Sequence, residues 1–125
     1  SLSAYKKTYA MLSAQTRPNV QFLWITVDPD RDTPEILEDY ISHFSPEFML
    51  GLIPRTPAEL AGTAKIFGAH YEKVDYGSQA GYLMDHSTSV SLVDPQGNWR
   101  IVYAFETPPE TVAADLDYLV KTELE

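Results

Sequence analysis

Val20 to Val27, VQFLWITV, constrains this chain more than any other stretch. It is rich in β-branched and aromatic residues and nearly apolar on both faces, as a parallel strand covered on both sides should be. Asp28 and Pro29 break it, and the segment that follows, DPDRDTPEILEDY, offers Thr33 as the cap of a helix with Pro34 at its first position. Ile36, Leu37, Tyr40, Ile41 and Phe44 are predicted to form the buried stripe of that helix. A strand that feeds a helix through a short polar turn is the unit of α/β architecture, and this strand is expected to be central or near central in its sheet.

The flanking segments repeat that grammar. Leu2, Tyr5, Tyr9 and Leu12 recur at helical spacing with Lys6 and Lys7 on the other side, which predicts an amphipathic helix over residues 2 to 14, ended by Pro18. A short apolar run, Phe48 to Leu52, precedes Thr56 and Glu59, which have capping-box spacing for a helix ending near Gly68. His70 to Val74 reads as a short strand and Asp75 to Gly81 as a polar loop. The turn Asp94-Pro95-Gln96-Gly97 predicts a hairpin joining 88–94 to 98–105. Pro108, Pro109 and Glu110 open a last helix that carries Val112, Leu116, Leu119 and Val120 on one face.

At 125 residues, the chain reads as one domain, 1–125, able to bury roughly two-thirds of its unfolded surface. Eighteen acidic against nine basic residues give a charge of -9, which repels phosphate backbones and argues against a nucleic-acid partner. No apolar run approaches the roughly 20 residues of a membrane span. The chain contains no cysteine, which is compatible with either side of a membrane. It opens at Ser1 inside a helical pattern, with neither an initiator methionine nor a signal peptide, so a processed or trimmed chain is expected.

Candidate chemistry concentrates in residues 82 to 99, YLMDHSTSVSLVDPQGNW. There His86 lies before a strand that alternates Val90 and Leu92 with Ser89 and Ser91, at the mouth of a sheet, where loops carry sites. The imidazole could be a metal ligand or a strand-end histidine bonded to backbone. Asp85 could orient it or be a solvated carboxylate. Met84, with Met11 and Met49, fits core filling better than thioether ligation. His43 and His70 could join His86 only if the fold brought them together, and surface or partner roles are their default. Asp28, Asp30, Asp32 and Glu35 with Arg31 lack the glycine and ligand spacing of a calcium loop, so capping and ion pairing explain them better. The same loop, at the carboxyl end of a parallel strand, occupies the face where α/β ligands bind, so a role in shaping a site or docking a partner stays open. Ser87, Thr88 and Ser89 lack a nucleophile elbow.

VDPDRDTPEILEDYISHFSPEF, GAHYEKV and YLMDHSTSVSLVDPQG, in that order, closely resemble the Sco/SenC family of copper chaperones linked to cytochrome oxidase assembly. The resemblance spans about the whole chain. It implies a thioredoxin-like mixed sheet flanked by helices, here lacking the strand that precedes the first helix. It also implies a copper site built from two thiolates of a Cys-x-x-x-Cys motif and the histidine of the DH motif, which maps to His86. The expectation is therefore a domain truncated at its N-terminus, whose missing strand and both cysteines lie upstream of Ser1.

The function so implied is delivery of copper to the binuclear centre of cytochrome c oxidase, by a metallochaperone rather than a turnover enzyme. Its partners would be the copper-bearing oxidase subunit or another copper chaperone. The alternatives are a thiol-disulfide oxidoreductase that keeps the target cysteines reduced, and a cysteine-free interaction module. The family also implies an extracytoplasmic location, periplasmic or in the mitochondrial intermembrane space, with membrane attachment only through a missing anchor. Copper binding by these 125 residues alone is expected to be weak or absent.

Overall fold

The computed structural model describes residues 2–43, 49–78, 81–86 and 89–124, with the side chains of 75–86 outside the described set. Its elements run α1 (Leu2–Met11), β1 (Phe22–Ile25), α2 (Pro34–Ser42), β2 (Met49–Leu52), α3 (Pro57–Ile66), β3 (Tyr71–Ser78), β4 (Gly81–His86), β5 (Val90–Val93), β6 (Trp99–Tyr103) and α4 (Pro109–Glu123). The strands pair as β1 with β2, β3 with β4 and β5 with β6, so the mixed sheet is present as small two-stranded pieces. Residue contacts group into two compact units, Ser1–Trp24, Pro34–Leu52 and Glu106–Glu125 in one, Ile25–Thr33 and Ile53–Phe105 in the other.

In the first unit, α1 packs against α4. One face of β1 is aromatic: Tyr5 lies 5.8 Å from Phe22 and 6.5 Å from Trp24, and Trp24 meets Tyr40 edge-on at 6.2 Å. The expected cover on both faces is not found, because Leu23 is 54% exposed. Nor is β1 central among the described residues, since β2 is its one strand partner there. An apolar run can supply two faces, but only packing decides whether both are used.

Helix α2 begins at Pro34 as expected. A Cβ on Gly51 of β2 would stand 2.7 Å from Ile41 Cδ1 and 2.8 Å from Leu37 Cδ2, so glycine lets the helix lie directly on the strand backbone. That contact follows one ridge: Leu37 and Ile41 are buried, whereas Ile36 and Tyr40 are 55% and 46% exposed. The predicted stripe is therefore half as wide as expected, and Phe44 lies outside the described residues.

Helix α1 stops at Met11, short of residue 14. Arg17 takes over its last carbonyls, donating from Nη2 to Ala10 O at 2.9 Å and from Nε to Tyr9 O at 3.3 Å. The following turn is tied to α4, where Asp117 Oδ1 accepts from the Ser13 backbone N–H at 3.2 Å. Hydrogen bonds from the Thr16 hydroxyl and from Ser13 hold the Asp117 carboxyl below the ordinary aspartate range.

In the second unit, Glu59 N–H donates to Thr56 Oγ1 at 3.0 Å, the predicted cap of α3. The return bond is displaced by one residue, because Glu59 Oε1 accepts from Arg55 N–H at 3.3 Å. Beyond the helix, Gly68 adopts a φ of +62° and Ala69 N–H donates to Ala64 O at 2.8 Å, closing the helix end. The hairpin predicted around Asp94 to Gly97 is present as β5 and β6, with Val90 opposite Tyr103 and Leu92 opposite Ile101.

Residues 75 to 78 and 81, the described part of the expected loop, are strand instead. They belong to an antiparallel ribbon in which Tyr71 pairs with His86, Lys73 with Met84 and Asp75 with Tyr82. Polar residues hid the alternation, yet tyrosine and valine favour strands and a ribbon needs no continuous apolar face.

Candidate metal-binding site

The loop that follows β1 is organised by its own side chains. Thr26, 3% exposed, accepts from the Asp28 backbone N–H at 2.9 Å and donates its hydroxyl to Asp32 Oδ2 at 2.5 Å. Asp28 is 7% exposed and receives Arg31 Nε at 2.6 Å, while Asp32 N–H donates to Asp28 O at 2.9 Å. The acidic residues thus satisfy one another's neighbours, as capping and ion pairing predict, and no group of three metal-ligating side chains forms among the described residues. Every buried side-chain polar atom in that set has a hydrogen-bond partner.

This loop is linked to the β3–β4 ribbon, since Lys73 Nζ lies 3.4 Å from Asp30 Oδ2. Lys73 is two residues from Tyr71, the register partner of His86. The DPDRDTP motif and the DH motif, about 55 residues apart in sequence, therefore belong to one unit, in which the loop touches the ribbon at Lys73. His86 lies before β5 as expected and also closes β4, and Asp85 lies opposite Glu72; the side chains of Met84, Asp85 and His86 are outside the described set.

The remaining histidines separate. His43 immediately follows α2 in the other unit, with Nδ1 2.7 Å from Asp39 O. His70 immediately precedes Tyr71, so the ribbon brings its backbone close to that of His86, which sequence reasoning missed by treating it as a separate connection. Alternation assigns Tyr71 and Lys73 to one face and His70 and Glu72 to the other, and His70 Nε2 stands 3.9 Å from Glu72 Oε2. Only the pairing of β3 with β4, invisible without the hairpin, could have signalled that proximity.

Helices and small β-pairings, with a candidate ligand on a ribbon that touches the loop after β1, make this an α/β protein, and its solved neighbours give the class as thioredoxin-like. Solved structures share this fold: apo Sco1 from Thermus thermophilus is 32% identical with a TM-score of 0.82, covering 94% of this chain and 68% of that one. Copper-bound ScoI from Bradyrhizobium japonicum is 30% identical with a TM-score of 0.78, covering 92% and 71%. The chain belongs to the SCO1/SenC family, whose model matches residues 1–121. Among curated relatives, protein SenC of Rhodobacter capsulatus is 35% identical over 102 residues, 82% of this chain and 45% of the relative. A putative copper-binding protein of Stutzerimonas stutzeri is 32% identical over 100 residues, 80% of this chain and 48% of the relative. The chain spans less than half the length of these relatives.

Proposed function

We propose that this chain is part of a copper-handling protein that accepts copper as cargo and delivers it to the binuclear copper centre of cytochrome c oxidase. The observation that carries the reading is family membership over residues 1–121, together with solved relatives described as copper-bound. His86 is the ligand this chain would contribute, from the end of a ribbon anchored to the loop after β1. An imidazole accepts copper in either common oxidation state, while soft thiolates select Cu(I).

The 125 residues hold no thiolate, so their donor set does not fit tight Cu(I) binding by itself. The two thiolates implied by the family resemblance would come from residues beyond these 125, and copper retention is a property of the longer protein. The copper-bearing oxidase subunit or another copper chaperone is the partner. An extracytoplasmic setting is supported by relatives described as a lipoprotein of Bacillus anthracis and as mitochondrial in Homo sapiens. No described helix is long and apolar enough to cross a membrane.

The test compares Cu(I) retention, against a competing chelator, by the 125-residue chain and by a longer form carrying the Cys-x-x-x-Cys segment that the family resemblance implies. The extended protein should retain one copper, and His86→Ala should weaken retention by roughly tenfold or more. Sub-micromolar Cu(I) affinity in the cysteine-free chain, or retention indifferent to His86, overturns the reading.

A further inference from the structure

The outer face of α2 combines an exposed apolar ridge with a cluster of carboxylates. Ile36 and Tyr40, one helical turn apart, form an apolar ridge that is 55% and 46% exposed. Beside it stand the exposed carboxylates of Glu35, Glu38 and Asp39. Among the described residues these three form no ion pair, which they share with Glu106 and Glu110, but only here do three such carboxylates lie within five residues of one helix. No lysine or arginine occurs between Arg31 and Arg55.

Helix stability does not account for the charge. Glu35 in the first turn suits the helix dipole, but Asp39 lies at the carboxyl end, where a negative charge is unfavourable, and no basic residue offsets it in the last turn. The ridge is also held in place: Tyr40 meets Trp24 edge-on at 6.2 Å, and the buried side of the helix rests on the Gly51 backbone.

We propose that the Ile36–Tyr40 ridge with Glu35, Glu38 and Asp39 is a docking surface for a cationic protein, one presenting lysines and arginines around an apolar recess. Uncompensated carboxylates attract such a surface and steer its approach. They repel anionic lipid, nucleic acid and a second copy of this chain, which carries a net charge of -9. The apolar ridge supplies the contact that charge alone cannot make specific. The proposal does not depend on copper binding by His86.

The probe is a synthetic amphipathic helical peptide of lysine and leucine, titrated into the 125-residue chain. NMR amide shifts map the contact, and Trp24 fluorescence in a Trp99→Phe background reports occupancy. Shifts should centre on residues 35–43, and binding should weaken as salt rises. The triple variant Glu35→Gln, Glu38→Gln, Asp39→Asn should raise Kd by about tenfold or more. The charge-matched control Glu106→Gln, Glu110→Gln, Glu123→Gln, also at exposed positions, should leave Kd within about twofold. Ile36→Ser, at a site already exposed, should weaken binding without unfolding the chain. Equal weakening by the control, indifference to Ile36→Ser, or shifts centred elsewhere overturns the proposal, as does failure of the peptide to bind.

Discussion

Two turns in this chain begin with the same three residues, Val-Asp-Pro, at Val27 and at Val93, yet they are built differently. At the second, Asp94 Oδ1 accepts from the backbone N–H groups of Gln96 and Asn98 at 3.0 and 2.9 Å, and Gly97 takes a φ of +85°. The backbone hydrogen bonds of that turn close within five residues, and Arg100 adds a contact to Asp94 Oδ2 at 3.4 Å. At the first, Asp28 is buried, its carboxylate is committed to Arg31, and Thr26 ties its backbone N–H to Asp32. The surrounding loop then reaches 43 residues further along the chain to Lys73. One turn completes a local hairpin, while the other positions a loop against the ribbon that carries the candidate ligand.

Removing the first carboxylate should separate the two most sharply. Asp28→Ala removes the 2.6 Å bond from Arg31 Nε, buried on the aspartate side and partly open to water on the arginine side, so urea unfolding should show a loss of about 1–2 kcal/mol. A loss no larger than at an exposed carboxylate would mean that the two turns are equivalent.

An intermediate effect is expected at Asp94, and it should depend on pH. The Asn98 backbone N–H, with help from Asn98, Gln96 and Arg100, holds the Asp94 carboxyl below its ordinary value of 3.8. The folded state therefore binds this proton less readily than the unfolded chain. Its contribution is complete above that ordinary value and is lost as pH falls through the depressed folded value. Asp94→Asn keeps an acceptor for the two backbone donors but removes the titration, so melting curves taken through the acid range should lose part of their pH dependence. An unchanged acid profile would count against the carboxylate as the source of that turn's stability.

The smallest effect belongs to Lys73→Ala. Its contact with Asp30 is exposed on both sides, and pairs of that kind contribute under about 1 kcal/mol and fade with salt. Amide shifts in residues 28–33, rather than global stability, should report its loss. Shifts confined to β3 would show that the link does not position the loop.

Features specified by a few neighbouring residues were legible beforehand. Pro34 opening α2, Thr56 capping α3 and the Asp94 turn all follow from local hydrogen-bond geometry. What depended on distant packing was not. Ile36 and Tyr40 have the periodicity of a buried stripe, but the close approach at Gly51 buries Leu37 and Ile41, while Tyr40 meets Trp24 edge-on and stays 46% exposed. The β3–β4 ribbon escaped notice because its pairing is carried by backbone and its residues are mixed in polarity. For the site, the DH motif drew attention to His86 through a family resemblance, while the nearness of His70 and the Lys73 link emerged only with the ribbon's register.

Gly51 also has a kinetic consequence. A helix seated on bare strand backbone has little room to rock, so the carboxylates of α2 are presented on a stiff base before any partner arrives. A rigid charged face spends little ordering entropy at contact, and its encounter rate should be governed by long-range attraction rather than by waiting for a competent conformation. Ionic strength, more than temperature, should then set how fast a cationic partner is captured.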